Sequence, residues 1–368
     1  MAVLREIKSI HPRAEIRFWC DFKFAPQARS IMHDFDEKIP VQRIVAGKLR
    51  RYYHLTVIRQ LLWPSLVLKN VRDCFFVIAG FFQSIAKLII WRPDVVFAKG
   101  GYVCLPVGIA TRLLGIPLVI HDSDAHPGLT NLILSKWATA IATGAPLKYY
   151  PYPAKKARYV GIPVGSEFRQ FTDRERLAAK IKWGIKADQP LIVVTGGGLG
   201  SSRINDAVIF AIEDLLVLGS VVLISGTGQY DELRSITPSN DNRFQLHAFI
   251  SKDMASLLGA ADVVITRAGA TTILELAALA KPTILIPNGK LTGGHQLKNA
   301  AVYQKDGAVL IVDEDEMVKN PLILVDTVRD ILSNPEKAQQ MSMAFAPFAR
   351  PNAARDVADM VLVASNRL

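Results

Sequence analysis

Residues 261–288 read ADVVITRAGATTILELAALAKPTILIPN, and the way their pattern changes along the stretch decides the fold. DVVIT is a short apolar run closed by a glycine, the mark of a strand buried on both faces. TTILELAALA then spaces its apolar residues as a helix does, and Pro282 opens a second apolar run, TILI. A strand, a helix and a strand in this length predict two parallel strands joined by a crossover helix. Toward the N-terminus the alternation continues through the strand PLIVVTGGG (190–198), the helix SSRINDAVIFAIEDLLV (201–217), the strand SVVLISGTG (220–228) and the helix DMASLLGAA (253–261). Further upstream lie PDVVFAKGGY (93–102), PVGIATRLLG (106–115), IPLVIHD (116–122) and GLTNLILSKWATAIATG (128–144), which read as strand, helix, strand, and helix running into a strand. The intervening APLKYYPYPAKKARYVGIPVGSEF (145–168) dissolves into Pro, Tyr and Lys and marks a domain junction. The chain is therefore expected to be α/β, with two Rossmann-like domains facing each other: 1–162, 163–345, and a closing helix within 346–368 that returns toward the first.

Length and composition agree with this division. The chain has 368 residues, half of them apolar, enough for two cores. Cys20, Cys74 and Cys104 are too few and too unevenly spaced for a disulfide framework or a metal cluster. Of 44 Lys and Arg, 23 fall at or before Gly165, against 10 of the 33 Asp and Glu, so that half carries +13 and the remainder −2. Such a basic half suits a polyanionic partner.

The segment from Leu55 to Trp91 narrows that choice. Pro64 is placed to start a helix whose polar or small positions recur at Lys69, Arg72 and Asp73, Ala79 and Gly80, Gln83 and Ser84, and Lys87. The remaining apolar arc is wider than packing on one sheet requires, while the charges read as too frequent for a membrane span. Lys48, Arg50, Arg51 and Arg59 stand upstream among Tyr52, Tyr53, Leu61, Leu62 and Trp63, a composition that suits a surface resting on anionic lipid. The alternative is that these apolar residues are all core. No nucleic-acid recognition motif accompanies the charges, so no nucleic-acid partner is expected.

Ligands of parallel sheets gather at the carboxyl ends of the strands. There, VVTGGGLGSSRIN (193–205) sets a glycine turn before a helix, where free N–H groups favour a phosphate. It lacks the Gly-Lys-Ser/Thr of a P-loop, and Arg203 stands where a dinucleotide fingerprint would have its third glycine. Gly269, Thr271 and Thr272 repeat the device, and Glu275 follows one and a half turns later, placed to accept both hydroxyls of a ribose or else to be an ordinary solvated residue. NGKLTGGHQLKNA (288–300) supplies His295, Gln296 and Asn299, polar groups suited to sugar hydroxyls. In the first half, His121, Asp122, Asp124 and His126 follow a strand and offer a general base. They equally suit capping of the helix near Gly128, with Asp124 the better placed. His121 and His126 alone do not complete a metal site, and no metal is expected.

These segments, in this order, resemble the MurG family, the bacterial N-acetylglucosaminyltransferases that make lipid II. The resemblance rests on PDVVFAKGGYVCLPVGIA, GIPLVIHDSDAHPGLTN, GGGLGSSRIN, ADVVITRAGATTILELAALAKP and HQLKNA, spread over nearly the whole chain. It implies the GT-B fold, with the active site between two Rossmann-like domains. It also implies inverting transfer of GlcNAc from UDP-GlcNAc to the C4 hydroxyl of MurNAc in lipid I, with no obligatory cofactor. The location implied is peripheral, on the cytoplasmic face of the membrane, through an apolar and basic patch here spanning 48–91. By the same resemblance Glu275 binds ribose, Ala268, Gly269, Ala270, Thr271 and Thr272 hold the diphosphate, and the backbone of Ile250 reads uracil. Gln296 and Asn299 fall in the donor-sugar site beside His295. Gly198 and Ser202 belong to the first glycine turn, and Gly100, Gly101, Tyr102 and Asn131 to the acceptor side with His121, Asp122 and Asp124. Asp122 is the expected group for orienting or deprotonating the acceptor hydroxyl.

The chain departs from the family pattern at HDSD (121–124), where His-Glu-Gln-Asn is usual, at Gly198 and Leu199 for serine and glutamine, and at Ile162 and Gly165 for asparagine and arginine. The family also opens with a strand and a Gly-Gly-x-Gly-Gly-His loop, ahead of a helix that starts like AVL. MAVLREIKSIHPRAEIRFWC (1–20) starts at the helix, and AEIRFW reads as the next strand, so the sequence is expected to be truncated ahead of Met1. Two other functions fit the same residues: transfer to another lipid such as diacylglycerol, and UDP-sugar binding at a membrane without catalysis.

Overall fold

The computed structural model describes residues 1–50, 56, 62–198, 200–237, 241–250, 253–289 and 294–366. Arg51, Tyr52, Tyr53, Arg59 and Leu61 of the basic and aromatic stretch, and Leu199 of the first glycine turn, lie outside the described residues. The chain divides into two units, one of residues 1–165, 290–295 and 351–368, the other of 166–289 and 296–350.

The first unit begins with helix α1 (Ala2–Ile10), strand β1 (Phe18–Cys20), helix α2 (Ala25–Asp36) and strand β2 (Val41–Arg43). Strand β1 begins only at Phe18, later than AEIRFW suggests, and the exposed Glu15 and Arg17 side chains bond each other ahead of it. Helix α3 (Pro64–Trp91) leads to β3 (Val96–Ala98), helix α4 (Cys104–Leu114), β4 (Leu118–Asp122), helix α5 (Leu129–Leu134), β5 (Ala140–Thr143) and β6 (Ala157–Tyr159). These strands make two parallel sheets, β1-β2 and β3-β4-β5-β6. Strand β4 is buried along its whole length, which accounts for the unbroken apolar run LVI ahead of its polar end.

Helix α3 turns the usual amphipathic arrangement inside out. Its buried positions include Asp73, Gly80 and Ser84, whereas Phe75, Phe82 and Ile90 are exposed. The polar face is tied to residues 42–50. Asn70 exchanges hydrogen bonds with the Arg50 backbone, Asp73 pairs with Arg50, Gln83 accepts from the Val45 N–H at 2.8 Å, and the Lys87 ammonium donates to Gln42 at 2.9 Å. Gly80 permits the approach, since a Cβ there would stand 1.8 Å from the Val45 carbonyl oxygen. By length and composition alone α3 is long and apolar enough to cross a membrane even with its charges, a test that a core helix of a soluble protein also passes. The charges permit this because Lys69, Arg72 and Asp73 crowd its first third and leave only Lys87 beyond them.

The second unit opens on helix α6 (Asp173–Lys182), whose start is fixed by a capping box between Thr172 and Glu175. Then follow β7 (Leu191–Thr195), helices α7 (Ser202–Phe210) and α8 (Ile212–Leu218), β8 (Ser220–Ile224), α9 (Tyr230–Ile236), β9 (Phe244–His247), α10 (Met254–Ala260), β10 (Val263–Thr266), α11 (Ala270–Ala278) and β11 (Thr283–Leu285). The unit closes with α12 (His295–Gln304), whose first residue belongs to the first unit, then β12 (Leu310–Ile311), α13 (Glu314–Lys319), α14 (Ile323–Leu332) and α15 (Pro335–Phe345). All six strands are parallel in the order β12-β11-β10-β7-β8-β9. The chain leaves β7 toward β8 on one side and β10 toward β11 on the other, so the order reverses between β7 and β10. A final helix, α16 (Ala353–Ala364), belongs to the first unit, where Val357, Ala358, Val361 and Leu362 share one core with Val3 and Ile7 of α1.

Candidate functional site

In the second unit the two glycine turns flank the reversal of strand order. Strand β7 ends at Thr195 and runs into Gly196–Ser201, and β10 ends at Thr266 and runs into Arg267–Gly269. The crevice outside such a reversal is where doubly wound sheets take their ligands. Gly200 needs its glycine: its φ is +75°, and a Cβ there would sit 2.1 Å from the Ser225 carbonyl at the end of β8. Gly269 is the N-cap of α11 and no side chain caps that helix. The first-turn N–H groups of Ala270, Thr271 and Thr272 therefore carry the positive end of the helix without a side-chain acceptor. Ile250 follows β9 and Glu275 lies on α11, so both belong to the same carboxyl end of the sheet. Gln296 accepts from the Asn288 N–H at 2.8 Å, and the buried Asn299 donates to the Ala268 carbonyl at 3.3 Å.

A buried ion network that composition and spacing do not reveal joins the two turns. Arg267 is 7% exposed; its Nε and Nη2 donate to the Ser201 hydroxyl at 3.1 and 2.6 Å, its Nη1 to the Ile286 carbonyl at 3.0 Å, and it pairs with the buried Glu314. Arg203 reaches the same Glu314 at 3.3 Å and Asp315 at 2.9 Å. The residue that replaces the fingerprint's third glycine thus has a partner of its own. The one sign in the sequence was an arginine inside the otherwise apolar stretch before Ala268.

The first unit holds a cavity of about 300 Å3 at the carboxyl ends of β3 and β4. Gly100 and Gly101 border it with φ of +85° and +86°, in the left-handed turn that follows β3. Tyr102, also on its wall, donates its phenol to Asp21, and burial with that bond lifts it to about 12. Asn131 is 3% exposed, donates Nδ2 to the His121 carbonyl at 3.2 Å, and leaves Oδ1 buried with no hydrogen-bond partner. Asp122 and Asp124 line the same space, with His295 Nδ1 3.8 Å from Asp124.

Asp122 is 4% exposed and its carboxyl is pushed up to about 7, first by burial and then by the charge of Asp124. Hydrogen bonds from Tyr152, Asn131 and the Gly128 backbone pull it the other way, with Tyr152 Oη 2.7 Å from Oδ2. The Gly128 N–H, at the N-cap of α5, thus serves Asp122. His121 is fully buried with Nε2 2.8 Å from the Gly161 carbonyl and Nδ1 3.1 Å from the Ser123 hydroxyl. Because a carbonyl only accepts, Nε2 carries the proton and Nδ1 accepts from Ser123. Burial brings His121 down to about 4, so it is neutral. It tethers β4 to the Gly161 turn, with both ring nitrogens engaged and its side chain away from the cavity lining.

Residues 36–143 match the glycosyltransferase family 28 N-terminal domain and residues 191–359 the glycosyltransferase family 28 C-terminal domain. The chain is 35% identical over 297 residues to a Clostridium kluyveri protein named UDP-N-acetylglucosamine--N-acetylmuramyl-(pentapeptide) pyrophosphoryl-undecaprenol N-acetylglucosamine transferase, covering 80% of this chain and 78% of that one. An Exiguobacterium protein of the same name is 35% identical over 298 residues, with 81% of each chain covered. Among solved structures, Acinetobacter baumannii MurG superposes with a TM-score of 0.69 at 24% identity, over 98% of this chain and 94% of that one. UDP-GlcNAc 2-epimerase from Neisseria meningitidis shares the fold at a TM-score of 0.61 and 14% identity, over 95% of this chain and 99% of that one.

Proposed function

The chain belongs to the MurG family of glycosyltransferases, with the GT-B fold of two Rossmann-like domains, and from that membership we infer that it transfers GlcNAc from UDP-GlcNAc to lipid I, forming lipid II for peptidoglycan. The observation that carries this reading is the pair of glycine turns flanking the reversal of strand order in the second unit. The uncapped N–H groups of Ala270, Thr271 and Thr272 suit the diphosphate, and Glu275 suits the ribose. As the bond from the anomeric carbon to the diphosphate breaks, charge grows on the leaving oxygen. Fixed N–H dipoles meet that charge without an obligatory metal, and one such donor is worth about 3 kcal/mol. Arg267 keeps the two turns in register by binding Ser201 and Glu314.

The acceptor hydroxyl is to be met in the first unit, where Asp122 is the group tuned to take a proton near neutral pH. The unpartnered Oδ1 of Asn131 is suited to accept from a sugar hydroxyl. Helix α3 supplies the membrane contact: its outer face carries Phe75, Phe82 and Ile90, and its polar stripe is occupied by residues 42–50 of its own unit. That occupied polar face favours a helix lying on the cytoplasmic surface of the bilayer over one that crosses it.

The deciding assay follows labelled GlcNAc from UDP-GlcNAc to a short-chain lipid I analogue. Label in a disaccharide-lipid product is the expected result. Label only in diacylglycerol offered alongside, or UDP binding with no transfer to any lipid, would overturn this reading.

A further inference from the structure

Tyr152 lies in the Pro- and Tyr-rich junction thirty residues beyond Asp122, where the sequence gives it no role. Its ring packs against the first unit's buried cluster that contains Ile120, Leu134 and Ile141. It also stacks on Tyr150, with ring centres 5.5 Å apart and planes 14° from parallel. Tyr150 is itself immobilised: its hydroxyl donates to the Asp124 carbonyl at 2.6 Å and accepts from the Ala145 N–H at 3.1 Å. Tyr152 is thereby aimed at one atom, Oδ2 of Asp122, at 2.7 Å. Burial, and the charge of Asp122 beside it, raise the Tyr152 phenol well above its ordinary range, so it remains a donor at every working pH.

We propose that Tyr152 is a positioning residue for transfer: its phenol fixes the Asp122 carboxylate in the orientation from which it receives the acceptor hydroxyl proton. This rests on the reading of Asp122 as the acceptor-side base. In the step, the acceptor oxygen forms a bond to the anomeric carbon and the bond from that carbon to the diphosphate oxygen breaks. UDP leaves with the electron pair, and the hydroxyl proton passes to Asp122. A carboxylate free to rotate would present the wrong lone pair for much of the time, and small misalignments are costly at a reacting centre. Tyr152 holds Oδ2, and together with the Asn131 and Gly128 donors it fixes the plane of the carboxylate at the cavity wall. The charged and titratable groups around Asp122 are Asp124 on its own loop, Lys99 after β3, Lys48 ahead of α3, Tyr102, His295, and Tyr152 itself.

Tyr152→Phe keeps the ring and its stack and removes only the hydroxyl. Without that donor the carboxylate is less favoured, so the acid limb of the kcat/KM profile should move up by about one pH unit. At pH 7, kcat should fall roughly 10-fold with KM for UDP-GlcNAc unchanged. The same shift is read without turnover by 13C NMR of carboxyl-labelled aspartate in the full chain, with the Asp122 signal assigned from Asp122→Asn. An acid limb and an NMR midpoint that both stay at the parent's values overturn the proposal. A loss of rate equal at all pH values also overturns it, since that is what a packing role would give. If the parent transfers no GlcNAc to lipid I analogue, the transfer reading fails and the positioning role goes with it. Transfer by the parent together with an unmoved Tyr152→Phe profile sinks this inference alone.

Discussion

Burial and the neighbouring Asp124 raise the Asp122 carboxyl from an ordinary 3.8 to about 7, so the folded chain keeps a proton there after the unfolded chain has lost it. Between those values the native state binds more protons, and the contribution of Asp122 to stability falls as pH climbs from about 4 to 7. Above 7 the whole cost of burying the charge is present. Asp122→Asn, neutral and of the same shape, should therefore raise the unfolding free energy at pH 8 by on the order of 3 kcal/mol. The gain should shrink at pH 5, with urea denaturation at both values as the measurement. Transfer should drop about 100-fold in the same variant. Part of this site was legible in advance. Successive side chains of a strand point to opposite faces, so of His121 and Asp122 at the end of β4 only one was able to line the cavity. Which one was not legible, because the partners that decide it, Gly161 and Tyr152, are distant in sequence.

At the scale of elements, helix α3 shows what periodicity conveys and what it leaves out. The recurrence of Asp73, Gly80, Ser84 and Lys87 marks a stripe, and the ordinary expectation sends such a stripe to solvent. Here it faces inward, because residues 42–50 bring backbone groups and the Arg50 charge that need polar partners. Gly80→Ala tests that arrangement. A Cβ 1.8 Å from the Val45 carbonyl forces the segment off the helix, for an expected loss of about 1–3 kcal/mol, read by thermal unfolding and by faster amide exchange over 42–50. Phe82→Asp, on the exposed side, should change unfolding by less than about 0.5 kcal/mol and reduce pelleting with vesicles. The strand–turn–helix units around 191–205 and 263–278 were fully legible, because a buried strand, a glycine and a periodic helix leave one reading for each segment.

For the whole molecule, the alternation of strands and helices announced parallel sheets, but the order β12-β11-β10-β7-β8-β9 is set by long-range pairing that no local pattern records. Charge is also a property of this scale. With +13 up to Gly165 and −2 beyond it, binding to vesicles of anionic lipid should weaken as salt rises from 0.1 to 1 M. Over that range the screening length falls from about 10 to 3 Å. Sedimentation with vesicles across the range checks it; binding that ignores salt would leave the apolar face of α3 as the whole attachment. Helix α16 completes the core that α1 begins, so the unit whose first residues emerge earliest from the ribosome is finished last. Until residues 353–364 are made, Val3 and Ile7 lack the α16 side of their core, whereas the second unit, closed by Arg350, by then has every residue it needs. A nascent chain arrested before Ala353 would present a finished nucleotide-binding half on an open acceptor half, and would be a substrate for chaperones before it is an enzyme.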